Sequence, residues 1–147
     1  MKKISLYSDG SSLGNPGPGG WGTILRYNGK EKELFGGENN TTNNKMELLG
    51  VIKGLEALKE PCEVEIYSDS TYVVKAINEW LKGWEKANFR QGTAKEVKNI
   101  DLWKRYLDAA KPHKISANWV KGHAGHDENE RCDKLAYNEA QRIKSNA

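Results

Sequence analysis

The sequence predicts an α/β domain on a mixed sheet, with strands first and helical crossovers later. Three observations carry this. Strand-like segments joined by short turns fill the first 40 residues, helical spacing takes over at Asn43, and two strand endings, ISLYSDGS at 4–11 and VEIYSDST at 64–71, echo each other. A length of 147 residues suits one domain of ordinary size.

Residues 3–8 (KISLYS) alternate Ile4 and Leu6 with Ser5 and Tyr7, predicting a strand that ends at Asp9. GSSLGNPGPGG at 10–20 reads as turn chemistry, and a second strand follows at 21–27. Asn28-Gly29 is a favoured tight hairpin turn and leads into a third strand at 30–37. Leu48, Val51, Ile52, Leu55 and Leu58 then recur at helical spacing. Asn44 with Glu47 three residues on resembles a helix cap, giving a helix over 44–59 closed by Pro61. Residues 63–68 alternate as a strand ending at Asp69, helices are predicted over 71–81 and 100–110, a last strand over 114–120, and a final helix from near Asp127.

Connection type sets direction. In a meander the first and third strands run alike, and a helical crossover makes the fourth parallel to them. Asp9 and Asp69 therefore sit at carboxyl ends of like-directed strands. Neighbouring strands lie about 4.8 Å apart, so two ionised carboxylates there repel unless a cation lies between them or one takes a proton. Hard oxygen donors favour magnesium or manganese over zinc. Glu47 and Asp133 are placed to complete a four-carboxylate site. Each also has a structural reading: Glu47 as a capping-box partner, Asp69 as the cap of the next helix, Asp133 as a solvated helix residue and Asp9 as a turn aspartate before glycine.

Composition narrows the function classes. No apolar stretch approaches the roughly 20 residues that span a bilayer, and the first dozen residues lack an export pattern, so a soluble cytoplasmic protein is expected. Cys62 and Cys132 read as small buried or half-buried thiols. The net charge is only +3, but residues 75–105 hold eight basic against four acidic side chains, and the remainder is close to neutral. That stretch also carries Trp80, Trp84, Phe89 and Trp103, a basic aromatic composition suited to nucleic acid.

The motifs YSDGSSLGNPGPGGWG (7–22), TTNNKMEL (41–48), YSDSTYV (67–73), VKNIDLW (97–103) and WVKGHAGHDENERCDKLA (119–136) together resemble the type 1 ribonucleases H, in family order and over nearly the whole chain. The resemblance implies a ribonuclease H-like fold, a five-stranded mixed sheet with helices on both faces. It also implies an endonuclease that hydrolyses the RNA strand of RNA-DNA hybrids, leaving 5′-phosphate and 3′-hydroxyl ends. Asp9, Glu47, Asp69 and Asp133 would be its metal-binding carboxylates, taking Mg2+ or Mn2+, two ions once substrate is bound. His123 would assist proton transfer or product release from the neighbouring loop. Asn15, Asn43 and Asn44, with Ser12 and Thr71, would lie near the RNA 2′-hydroxyls. Thr42 and Asn99 would match a DNA-phosphate pocket. A basic protrusion over about 80–99 would grip the DNA strand through Trp80, Trp84, Lys86, Arg90 and Lys95, at least one tryptophan of the helical pair serving packing instead. A single catalytic domain, working as a monomer without a separate hybrid-binding module, is expected. The rival readings are another polynucleotidyl transferase or junction nuclease on the same fold, and a noncatalytic hybrid-binding module.

Asn40 stands where many relatives carry arginine, and Glu79, Glu85 and Glu96 dilute the basic stretch. Hybrid binding should therefore be weaker, or more salt-sensitive, than in a strongly basic relative, with turnover intact. A salt series of KM values, run beside such a relative, measures this; matching curves would overturn it.

Overall fold

The computed structural model describes residues 1–91, 95–96, 98–121 and 127–146, with the backbone alone at 90, 91, 95 and 96. Strands β1 (Lys2–Ser12), β2 (Gly17–Tyr27) and β3 (Lys30–Thr41) form the antiparallel meander. Helix α1 (Asn43–Glu56) crosses to β4 (Cys62–Ser68), which pairs parallel to β1 with Tyr7 opposite Tyr67. Helix α2 (Thr71–Lys75) runs through a π turn (Ala76–Trp80) into α3 (Leu81–Lys86). A two-stranded ribbon follows, β5 (Arg90–Gln91) with β6 (Lys95–Glu96), then α4 (Ile100–Ala110), β7 (Lys114–Trp119) and α5 (Asp127–Ser145). The main sheet has the expected five strands and mixed character, in the order β3-β2-β1-β4-β7.

The hairpin turn falls on Asn28 and Gly29, both at positive φ (47° and 77°), the conformation that an Asn-Gly pair tolerates. One face of the sheet carries the main core. Leu48, Val51, Ile52 and Leu55 of α1 bury against Leu6, Val64 and Ile66, with Trp103 of α4 fully enclosed beside them. Thr23 donates a buried 2.6 Å hydrogen bond to the Gly50 carbonyl, tying β2 to α1.

Several boundaries differ from the sequence expectation. The first three strands run longer, to Ser12, from Gly17 and to Thr41, so only 13–16 of the glycine-rich stretch is a turn. The glycines there serve close packing. A Cβ at Gly20 would collide with the Ala136 carbonyl of α5, one at Gly22 would stand 2.6 Å from the Cys132 carbonyl, and one at Gly10 would overlap the backbone of α1 at Met46 and Glu47. Helix α1 starts at Asn43 and is capped by Thr42, whose hydroxyl accepts from Lys45 N–H at 3.3 Å, so Asn44 is not the cap. It ends at Glu56, ahead of the expected 59. The helix expected to end at 81 continues through the π turn to Lys86.

These contacts separate two kinds of glycine. Gly22→Ala should cost about 1–3 kcal/mol through overpacking against α5. Gly83→Ala, in exposed α3 with open space around it, should add roughly 0.5–1 kcal/mol from helix propensity. Urea unfolding midpoints that moved in the same direction for both variants would refute this distinction.

Candidate active site

The parallel register of β1 and β4 brings Asp9 and Asp69 to the same level, two residues beyond the paired tyrosines, whose rings stack at 5.2 Å. Glu47 reaches the same point from α1, because the absence of a side chain at Gly10 lets the helix backbone rest on β1. One carboxylate oxygen from each of Asp9, Glu47 and Asp69 lies within 4.8 Å of the others. Asp133, on α5, lines the same cleft but stands outside that closed set. Its helix is held close to the sheet by the contacts at Gly20 and Gly22.

The structural alternatives for two of these groups fall away. Ser70, not Asp69, caps α2, accepting from Val73 N–H at 3.2 Å, and the Thr42 cap gives the third capping-box position to Lys45 rather than Glu47. Asp9 is only 7% exposed and accepts from Gly10 N–H at 2.8 Å. Glu47 Oε2 is buried without a hydrogen-bond partner. Burial, above all, pushes the Asp9 carboxyl from 3.8 up to about 7; the charges of Asp69 and Asp133 add to this, while hydrogen bonds from Glu47 and the Gly10 N–H oppose it. Glu47 is held well above its ordinary value by burial first and the Asp9 charge second. A crowded all-oxygen set with an orphaned buried acceptor fits a hard divalent cation, which would satisfy the lone pairs and cancel the repulsion.

Ser12, Asn43, Asn44 and Thr71 line the same cleft, an open space of about 530 Å³, together with Ser11, Ser70 and Tyr72, which the sequence did not single out. The Asn15 amide oxygen accepts from Asn43 N–H at 3.0 Å, drawing the 13–16 turn onto the start of α1. A neighbouring pocket gathers Asn15, Thr42 and Asn99 with Lys45 and Lys98. These two lysines were missed because each is an ordinary surface charge in sequence. They supply positive charge to that pocket. Asn99 adopts the left-handed region at φ 61° and donates to the Tyr72 hydroxyl at 3.1 Å; the same hydroxyl receives Trp103 Nε1–H at 2.8 Å.

Within the basic stretch the two tryptophans divide. Trp84 is half-buried with its ring 5.7 Å from Trp103, whereas Trp80 is 39% exposed. Lys86 is exposed. The side chains of Arg90 and Lys95 lie outside the described residues, as does His123. Cys62 and Cys132 are both buried free thiols, and His113, given no role from sequence, accepts from Cys62 N–H at 3.0 Å.

The family model described as RNase H matches residues 1–141. The chain belongs to the RNase H family. A ribonuclease H of Sulfurovum sp. (strain NBC37-1) is 66% identical over 144 residues, covering 98% of this chain and 95% of that one. The ribonuclease H of Campylobacter concisus (strain 13826) is 60% identical over 98% of this chain and 96% of its own. Among solved structures, LC9-RNase H1, a type 1 RNase H with the type 2 active-site motif, superposes with a TM-score of 0.87 at 29% identity, covering 97% of this chain and 74% of that one. This RNase H family chain is an enzyme of the hydrolase class to which those relatives belong. No helix among its described residues is long and apolar enough to cross a membrane.

Without metal, Asp9 keeps a proton in the folded chain that the unfolded chain loses above about pH 4. Its raised value therefore costs stability as pH climbs from about 4 to 7. Asp9→Asn should stabilise the chelator-treated protein at pH 7 by on the order of 2 kcal/mol, with the gain vanishing towards pH 4. Urea midpoints of both proteins across that range measure it; a gap that failed to widen with pH would contradict the burial argument.

Proposed function

We propose that the chain hydrolyses the RNA strand of RNA-DNA hybrids as an endonuclease, leaving 5′-phosphate and 3′-hydroxyl ends. The observation that carries this reading is the cleft itself: three carboxylates closing within 4.8 Å, bordered by amide and hydroxyl side chains. The family and its named relatives support it. That family membership does not favour a related polynucleotidyl transferase.

Asp9, Glu47 and Asp69 would hold the metal, with Asp133 completing the set from α5. The divalent metal held there would supply activation of the attacking water and stabilisation of the leaving 3′ oxygen. Two Mg2+ ions, with Mn2+ able to replace them, are the complement proposed with substrate in place. Asn43 and Asn44, at the start of α1, present amides to the RNA 2′-hydroxyls, with Asn15, Ser12 and Thr71 beside them, so the strand is oriented by a group that DNA lacks. Thr42 and Asn99, with Lys45 and Lys98 at hand, seat a phosphate of the DNA strand. Trp80, Lys86, Arg90 and Lys95 extend this grip along the protrusion of residues 80–99, while Trp84 supports it from within. His123 moves a proton or eases product release. The reading takes residues 1–147 as a single catalytic domain, a cytoplasmic monomer whose partner is the hybrid duplex.

With magnesium, a labelled hybrid should be cleaved while single-stranded RNA and duplex DNA are spared. Chelator or Asp9→Asn should lower the rate by at least roughly 100-fold, the scale on which catalytic charge stabilisation acts. Tight hybrid binding without metal-dependent cleavage would instead identify a noncatalytic module.

A further inference from the structure

Asp69 lies just past the end of β4, where the last pair of the β4-β7 ladder is Ser68 opposite Trp119. The segment carrying it is gripped from the neighbouring strand at two successive carbonyls. Val120 N–H donates to the Ser68 carbonyl at 3.0 Å, and Trp119 donates its indole Nε1–H to the Asp69 carbonyl at 3.1 Å. The Trp119 ring is otherwise 54% exposed, although it stands at the end of the sheet that holds the acidic cleft. With more than half of the ring in water, the directional bond to the residue whose side chain joins Asp9 and Glu47 is a specific contribution of this indole.

We propose that Trp119 is a positioning residue for Asp69: its indole N–H holds the main chain so that the Asp69 carboxylate closes on Asp9 and Glu47. This rests on the proposed role of those carboxylates as metal ligands. The bond acts through the backbone of a ligand, so its loss should loosen the site rather than remove a donor. Groups outside the ligand set that orient ligands commonly govern affinity by 10-fold or more.

Trp119→Phe keeps an aromatic ring and removes the N–H. In calorimetric titration with Mn2+ alone, the variant should bind about 10-fold more weakly than the unaltered protein. Its hybrid KM and its thermal midpoint in chelator should stay unchanged, and its turnover should recover when Mn2+ is raised. A purely structural role would move the thermal midpoint, and a substrate-stacking role would move KM, so either result in place of the affinity loss overturns the proposal. Should the variant not fold, the indole N–H resonance of Trp119 in the 15N-labelled unaltered protein decides the matter: it should shift on Mg2+ addition, and an unmoved resonance in a protein that binds Mg2+ overturns the role. If the unaltered protein binds neither ion, the metal site itself fails; if it binds and the variant binds equally, only the role of Trp119 does.

Discussion

The architecture depends on how closely helix backbone can approach strand backbone. At Gly10, α1 rests on β1 with no room for a methyl group, and at Gly20 and Gly22 the same holds for α5 against β2. Side chains at these points would push both helices away from the sheet and carry Glu47 and Asp133 with them. The carboxylates are thus delivered by different supports: β1 for Asp9, the segment just past β4 for Asp69, one helix for Glu47, the other for Asp133. The core formed by Leu6, Ile66 and Trp103 with α1 keeps those supports rigid, as close-packed interiors do.

That rigidity sets the electrostatics. Asp9 and Glu47 are enclosed by elements that cannot retreat from one another, so their charges are relieved by protons or by a cation and not by movement. The metal-free site is therefore locally unfavourable within an otherwise well-packed fold, a pattern expected where function and stability compete. The exposed pairs elsewhere, such as Arg105 with Glu56 and Arg131 with Glu31 and Glu33, have no such tension and contribute little individually.

Much of this was legible in sequence because period and connection are local properties. Alternation around Ile4 and Leu6, the Asn28-Gly29 turn and the spacing from Leu48 to Leu55 led to β1 and β4 running in the same direction, and the structure adds that they are neighbours, which brings Asp9 near Asp69. What escaped was set by partners distant in the chain. Glycines at 19 and 20 look like turn formers until Thr41 and α5 are seen against them. Likewise, Asn44 is as plausible a cap as Thr42 until the Lys45 N–H is located. Lys45 and Lys98 carry no signal of their own, since only the fold brings them to one pocket.

The π turn at Ala76–Trp80 has a further consequence. Each residue of an α-helix advances the azimuth by about 100°, and a π turn is the trace of one residue too many. Gain or loss of a single residue there would swing the protrusion around the axis of α2 while leaving the sheet, its glycine contacts and the carboxylates in place. The fold thus contains a rotary joint between the sheet that carries the carboxylates and the helix that carries Trp84 and Lys86.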